Sequence, residues 1–397
     1  MASSRTVIIA GAGIGGLTAA LAIAQRGLRV AVFDQAERLE EAGAGIQLSP
    51  NASRILIALG LGEQLKPYVV APEELRVVNA QTARVLARAP LGAEAEKRYG
   101  APYWLIHRAD LQAVLLDAVK IHPNISLRLG TRVEDFAVHA NGITVAALAA
   151  GRPFEDRGFA LIGSDGLWSH TRSCLGDRAA PRFAHHTAWR AVVPADKVVA
   201  DLREPIVNLW LGRHAHLVHY PVRGGRLVNI VAIIRDDWRE TGWNAPGDRD
   251  EVLARYRPGM WPPLARAVLA APDRWHKWAL YDRAPLSRWG TGPVTLLGDA
   301  AHPMLPYLAQ GAAMAIEDAA VLAARLADTP DDPSGALRRY ENQRRGRTAR
   351  VQRAARRNGM VYHMGGAEAF LRTLALVAMG GKGLLRRYDW LYGWKPA

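Results

Sequence analysis

The apolar positions of the chain follow two rhythms, one of helical and one of strand period, and their order along the sequence outlines an α/β protein. Residues 6–10 are a short apolar run that reads as a buried strand and passes directly into Gly11-Ala12-Gly13-Ile14-Gly15-Gly16. Residues 14–26 then set Leu17, Leu21 and Ala24 on one face at helical spacing, and Gly27 suits a left-handed cap. Val30 and Val32 alternate within 28–33, so the chain opens as strand, helix, strand. Helices are predicted over 51–59 and from Arg108 or Ala109 onward, the second carrying Leu111, Val114, Leu115 and Ala118 on one side.

Further along, the period shortens. Segments 126–129, 133–138 and 143–147 read as a strand meander, and 159–162 as a strand entering Gly163-Ser164-Asp165-Gly166. From about 182 to 281, alternating aromatic-rich segments such as 214–220 and 227–234 are separated by Arg-Gly-Gly or proline-containing turns, the texture of an antiparallel sheet. A strand at 294–297 enters Gly298-Asp299-Ala300-Ala301-His302-Pro303, and 312–327 is strongly helical. No repeat at solenoid spacing and no low-complexity segment interrupts this order. The predicted class is therefore α/β, with a Rossmann-like nucleotide domain drawn from both ends of the chain, an inserted, mainly antiparallel β substrate domain, and C-terminal helices. The expected boundaries are 1–181 for the first part of the nucleotide domain, with some substrate-side strands near 74–105; 182–284 for the β domain; 285–357 for the second part and a long helix; and 358–397 for a C-terminal helical segment.

Composition narrows the setting. The 397 residues suffice for two or three domains, and 49% hydrophobic with 22% charged residues excludes the apolar poverty of a disordered chain. Cys174 is the one cysteine, which excludes an intrachain disulfide and a cysteine-cluster metal site; no metal is expected, and a reducing cytoplasm is the expected compartment. The first apolar run is too short for a signal peptide, and no run approaches the length of a membrane span. The net charge of +14 is concentrated in Arg338, Arg339, Arg344, Arg345, Arg347, Arg350, Arg353, Arg356 and Arg357, expected on the outer faces of a long solvated helix. The alternative is a cationic surface for nucleic acid or anionic membrane. Among those arginines only Tyr340 is aromatic, so the interleaving of a nucleic-acid surface is missing and no nucleic-acid partner is expected.

The glycine loop carries the first chemistry. A backbone that approaches a pyrophosphate must shed side chains: Gly11 suits the tight turn, Gly13 the close approach, and Gly16 the helix–strand contact, while the following helix offers free N–H groups. Asp34 ends the second strand, about 20 residues on, where a carboxylate accepts from ribose hydroxyls. This fingerprint indicates a dinucleotide without separating NAD from FAD.

Two further stretches place glycine and an acid at a strand end, around Asp165 and around Asp299. Together with Gly11 to Gly16 they resemble the group A flavoprotein aromatic hydroxylases, of para-hydroxybenzoate hydroxylase-like fold, over nearly the whole chain. The resemblance is nearest to enzymes acting on salicylate, 3-hydroxybenzoate or 6-hydroxynicotinate, through Gly43-Ala44-Gly45-Ile46-Gln47, His107-Arg108-Ala109-Asp110-Leu111, His216 with Tyr220-Pro221, and the stretch from Gly298 to Asp318. It implies bound FAD, NADH or NADPH as a visiting reductant without a Rossmann domain of its own, O2, and hydroxylation of a salicylate-like phenolic carboxylate through a flavin hydroperoxide. By the same resemblance Asp299 takes a ribityl hydroxyl, Arg108 reaches the FAD phosphate or ribityl region, Gln47 lies beside the isoalloxazine, Asp165 serves FAD and the reductant, and the helix beginning at Gly311 and Ala312 points at the flavin pyrimidine edge. A homodimer is the assembly it suggests.

Hydroxylation of a phenol is favoured by a base that removes its proton, a task for histidine near neutral pH. Strand alternation in His214-Ala215-His216-Leu217-Val218-His219-Tyr220 puts His214, His216 and Tyr220 on one face and His219 on the other. The resemblance assigns His216 as base and Tyr220 as the residue orienting substrate; a satisfied structural histidine is the alternative. Arg190 and Arg283 are candidates for holding a carboxylate, and His302 for a place near the flavin. Pro306 departs from some 3-hydroxybenzoate hydroxylases, which carry a polar amide there. Two rivals stand beside this reading: a flavin reductase or oxidase, and an FAD-retaining cationic binding protein without hydroxylase activity.

Overall fold

Helix Ile14–Ala24 has no polar face: nearly all its residues are buried, because it is covered on several sides at once. The computed structural model describes residues 5–39, 44–242 and 245–396, and in it this helix packs between a parallel sheet, helix Arg108–Ile121 and helix Gly311–Asp328. Close approach to the last of these depends on Gly15, where a Cβ would lie 2.8 Å from Leu297 and 3.0 Å from Ala315. Of the shared stretch beginning at Gly43, that glycine lies outside the described residues.

The parallel sheet has the order Val294–Leu296, Ala160–Gly163, Thr6–Ala10, Arg29–Phe33, Ile125–Arg128, so distant parts of the chain meet in one layer. Its register pairs Ala10 with Gly163 and with Phe33, which brings the glycine loop, the Asp165 turn and Asp34 to one edge. The segment predicted as the first meander strand belongs here instead: Ile125–Arg128 pairs parallel to Arg29–Phe33. Half-buried alternation is the same in either setting, so periodicity alone did not distinguish them. The antiparallel meander is Thr131–His139, Gly142–Ala149 and Arg152–Gly158, its last strand too polar to stand out in sequence.

A second, eight-stranded sheet runs Ala245–Gly247, Trp275–Asp282, Arg182–Pro194, Leu227–Arg235, Ala215–Val222, Ile206–Gly212, Glu74–Asn79, Val85–Pro90. Every neighbouring pair is antiparallel except Ile206–Gly212 with Glu74–Asn79. Its edge strand Val85–Pro90 is covered by helix Gly366–Arg386, which kinks at Gly380 and lays Gly381 against the Arg88 carbonyl. The two sheets are joined by a small ribbon, Gly45–Leu48 with Trp104–His107, which is anchored where the Gly45 N–H donates to Asn229 Oδ1 at 2.6 Å.

Helix Pro333–Tyr362 holds the arginine run, and the expectation of a uniformly solvated cationic face is overturned there. Arg344 is 0% exposed; its Nε donates to Asp318 Oδ1 and its Nη1 to Glu317 Oε2, both at 2.6 Å. Arg347 also grips Glu317, Arg356 pairs with Asp282, and Arg338 with Glu341. Arg339, Arg350, Arg353 and Arg357 do remain exposed. A buried guanidinium persists only where carboxylates offset its desolvation, and helix Gly311–Asp328 brings them from a separate segment.

Candidate active site

Gly11 takes φ +107, and a Cβ on it would lie 2.5 Å from the Ser164 carbonyl oxygen, so the loop closes on the neighbouring strand end only with glycine. A Cβ on Gly16 would overlap the Gly11 carbonyl oxygen. Gly13 differs, since nothing lies within 4 Å of an added Cβ and the backbone there borders open space. The helix that follows has no side-chain cap and no acid in its first turn, which leaves its first N–H groups and positive end available to an anion. Asp34 is half-buried beside the loop; its two oxygens accept from Ala12 N at 2.6 Å and Ala36 N at 2.8 Å. Asp165 is more fully engaged, accepting from Ser169 Oγ, Thr171 N and Thr171 Oγ1, so it also caps a short helical turn.

Helix Gly311–Asp328 provides a second uncapped N-terminus with no acid in its first turn. Gly311 and Ala312 stand there beside Asp299, whose Oδ1 lies 3.9 Å from where a Gly311 Cβ would be. Burial pushes the Asp299 carboxyl up, and Arg108 and His302 oppose that shift, which sets Arg108 within electrostatic reach of Asp299. Arg108 is half-buried at the first position of its helix, held by its N–H on Ala44 O at 2.8 Å. Two anion-ready helix ends, an open glycine backbone and a carboxylate at a strand end fit a dinucleotide bearing a flavin, so the residues suit FAD.

Two cavities border the eight-stranded sheet, one against the turns that follow strands of the parallel sheet and the other against the C-terminal helices. One, of about 190 Å³, is lined by Asp299, Arg190, Trp278, Trp168 and the turn Pro303 to Pro306. The other, of about 90 Å³, is lined by Gln47, Tyr103, His216, Pro306, Tyr307 and Tyr362. Pro306 borders both. Arg190 is stacked 3.2 Å over the Trp278 ring. Arg283 and His302 line neither cavity: Arg283 Nη1 donates to Ala179 O, and His302 Nε2 bonds Asp318 Oδ2 at 2.5 Å within the buried cluster around Arg344. Those two candidates are engaged in holding segments together.

His216 and Tyr220 share a face of strand Ala215–Val222, and His219 faces the other way, its Nε2 accepting from Trp210 Nε1 at 3.0 Å. His214 is the exception to the predicted grouping. It precedes the strand at φ +60 and is exposed, because the chain turns there after Gly212. Tyr103 donates to Gln47 Oε1 at 2.7 Å, and Tyr220 is also in hydrogen-bond contact with Gln47. Burial pushes the Tyr220 hydroxyl well up, so it is a neutral donor at neutral pH.

The sequence reading missed what stands behind His216. Its Nδ1 lies 2.8 Å from His363 Nε2, and His363 Nδ1 lies 2.9 Å from His186 Nε2. No spacing relates residues 186, 216 and 363; a strand, its neighbour but one, and the end of a long helix bring them together. Burial pushes His216 down to about 3 and His363 to about 2, and burial likewise takes His219 to about 3.

These neutral histidines make stability fall in acid. The unfolded chain takes up protons near the ordinary value of 6.5 that the folded chain refuses until about 3, so stability is full above pH 6.5 and is lost as pH drops below it. At pH 5 the loss is about 2 kcal/mol per histidine, hence about 6 kcal/mol for His216, His219 and His363 together. Urea unfolding at pH 7.5 and pH 5 measures it; equal midpoints at both values would contradict neutral burial.

Known proteins match this arrangement along its length. Residues 4–355 match the FAD binding domain family. A 3-hydroxybenzoate 6-hydroxylase of Klebsiella oxytoca is 38% identical over 100% of this chain and 98% of its own. Among solved structures, HpxO of Klebsiella pneumoniae complexed with FAD and uric acid superposes with TM-score 0.86 at 26% identity, covering 98% of this chain and 96% of that one. A salicylate hydroxylase substrate complex does so at 0.83 and 27%, covering 100% and 97%. Among the described residues no helix is long and apolar enough to cross a membrane. The chain belongs to the FAD-dependent aromatic hydroxylases, monooxygenases that bind FAD and draw electrons from NAD(P)H.

Proposed function

We propose that this enzyme hydroxylates a phenolic aromatic carboxylate of the monohydroxybenzoate class, with His216 receiving the proton of the ring hydroxyl. One observation carries the assignment: a buried, neutral imidazole lines a cavity beside Gln47 and Tyr307, with one ring nitrogen already bonded to His363. FAD, when bound, supplies electron transfer from NAD(P)H and the activation of O2 for insertion into the ring. The protein's own contribution is to orient and ionise the ring. Gln47, with Tyr220 bonded behind it, orients the hydroxyl, and His216 Nε2 accepts its proton, which raises electron density at the carbon to be attacked. Arg190, the cation on the wall of the adjoining cavity, is the group we assign to the carboxylate. Gly11, Gly13, Gly16, Asp34, Arg108, Asp165, Asp299 and the N-terminus at Gly311 and Ala312 are the set we assign to FAD, with Gln47 at the border of flavin and substrate. A cytoplasmic homodimer is the form we propose for it.

The hydroxybenzoate relative favours 3-hydroxybenzoate as first substrate, while Pro306 removes the amide that some such enzymes carry, which keeps salicylate and 6-hydroxynicotinate in the panel. The rival of a cationic binding protein loses its main support, because Arg344, Arg347, Arg356 and Arg338 are paired within the fold. Hydroxybenzoates and hydroxynicotinates are to be screened with FAD-loaded enzyme for stimulated NADH and NADPH oxidation under 18O2. We expect one atom of 18O in the ring product. Stimulated oxidation with no label in product would make the protein an oxidase, and no stimulation by any member would overturn the substrate class.

A further inference from the structure

We propose that His216, His363 and His186 form a proton relay that carries the substrate's hydroxyl proton from the buried cavity to the protein surface, an inference that rests on the assignment of His216 as base. The hydrogen-bond pattern dictates its direction. The Ala184 carbonyl only accepts, so His186 Nδ1, 2.7 Å away, bears the hydrogen. A neutral His186 then offers its Nε2 lone pair to His363 Nδ1–H, and His363 Nε2 in turn accepts from His216 Nδ1–H. All three rings are therefore Nδ1–H tautomers, and the end of the chain that reaches the cavity is the His216 Nε2 lone pair.

The backbone is shaped for this line. Strand Arg182–Pro194 bulges between Phe183 and Thr187, with His185 at φ +54, and the bulge turns His186 toward His363. His363 caps the long helix, where Arg372 Nη1 donates to Val361 O and Tyr362 O, and the His214 N–H donates to His363 O. The Tyr307 ring packs against all three, in edge contacts with His186 and His363 and a tilted one with His216. The rings are linked pairwise in a row, and among the described residues no His, Cys, Asp or Glu group is arranged to hold a metal ion.

Burial first, and the groups facing the row second, keep it neutral at rest. Arg235, His185 and His214 face His186; Arg372 and His214 face His363; no carboxylate contributes at His216. His185 is itself paired with Asp237 at the surface. Burial leaves His216 and His363 poor places to store a proton, whereas His186 is half-buried beside the exposed His185 and His214.

The transfer balances without any co-reactant. The substrate O–H bond breaks and a His216 Nε2–H bond forms; the His216 Nδ1 proton passes to His363 Nε2; the His363 Nδ1 proton passes to His186 Nε2; and His186, then protonated on both nitrogens, gives its Nδ1 proton to solvent once that N–H leaves the Ala184 carbonyl. The ring is left as phenolate. Return of a proton by the reverse steps, when product leaves as a neutral phenol, restores the three starting tautomers.

Two measurements test the relay. In FAD-loaded enzyme labelled with 15N-histidine, the ring shifts of these three residues report the tautomers; Nδ1–H at all three is expected, and Nε2–H at His216 overturns the proposal. In weak buffer with a pH indicator, mixing FAD-loaded enzyme with 3-hydroxybenzoate reports proton release. His363→Leu and, at the half-buried end, His186→Gln are expected to slow release on the order of 100-fold while ligand affinity stays within about threefold. Release as fast as in the parent in both variants overturns the relay and leaves His216 as base. Equally complete release in His216→Ala overturns the base assignment itself.

Discussion

Replacing Arg344 by methionine is expected to lower the unfolding free energy by about 3–5 kcal/mol, the cost of leaving buried carboxylates without their cation. Arg344 is fully enclosed and holds two helices together through Glu317 and Asp318. Although burial pushes Asp318 up, His302 and Arg344 hold it down at about 2, so without the guanidinium a buried negative charge keeps only part of its compensation. Glu317 retains Arg347 and the Asn51 amide, which keeps the loss from going further. The effect should reach the cofactor, because Asp318 Oδ2 also accepts from Gly298 N at 3.1 Å and so fixes the turn bearing Asp299. Urea unfolding and FAD titration of Arg344→Met and Arg344→Lys are the measurements. Lysine keeps the charge without the fork and should fall between methionine and arginine. A loss below about 1 kcal/mol for the methionine variant would mean that the cluster contributes no more than an exposed ion pair.

His216→Ala is expected to keep FAD bound and to lose hydroxylation by about 100-fold to 10,000-fold, the usual contribution of a positioned base. None of the groups assigned to FAD touches this ring, so cofactor affinity supplies the control. His219→Asn supplies another. His219 is equally buried and equally depressed in proton affinity, yet it faces Trp210 on the other side of the strand, and its loss should change turnover only a few-fold. Undiminished product formation by His216→Ala removes it from the mechanism; parallel losses in both variants would point to sheet integrity instead of proton transfer.

Local pattern carried far in this chain wherever function depends on residues adjacent in sequence. The strand, Gly11-to-Gly16 loop, helix and Asp34 were legible because the steric demand on each glycine and the strand-end acid recur at short fixed spacing. His216 and Tyr220 could be put on one face from strand alternation alone, while His214 could not be excluded, since a positive-φ turn before the strand has no signature in residue period. Pairing partners were another matter. Whether 125–128 joined a parallel sheet or a meander depended on which strand lay beside it, and half-buried strands look alike in both. Charge misled in the same way: Arg344 reads as one more cation in a basic run until Glu317 and Asp318, on the preceding helix, arrive to enclose it. The sequence by itself thus determined the nucleotide loop and the histidine-bearing strand. Only the tertiary structure decided what stands against them, because a hydrogen bond between His216 and His363, 147 positions apart, is set by the packing of a helix end on a sheet and leaves no periodic trace in the chain.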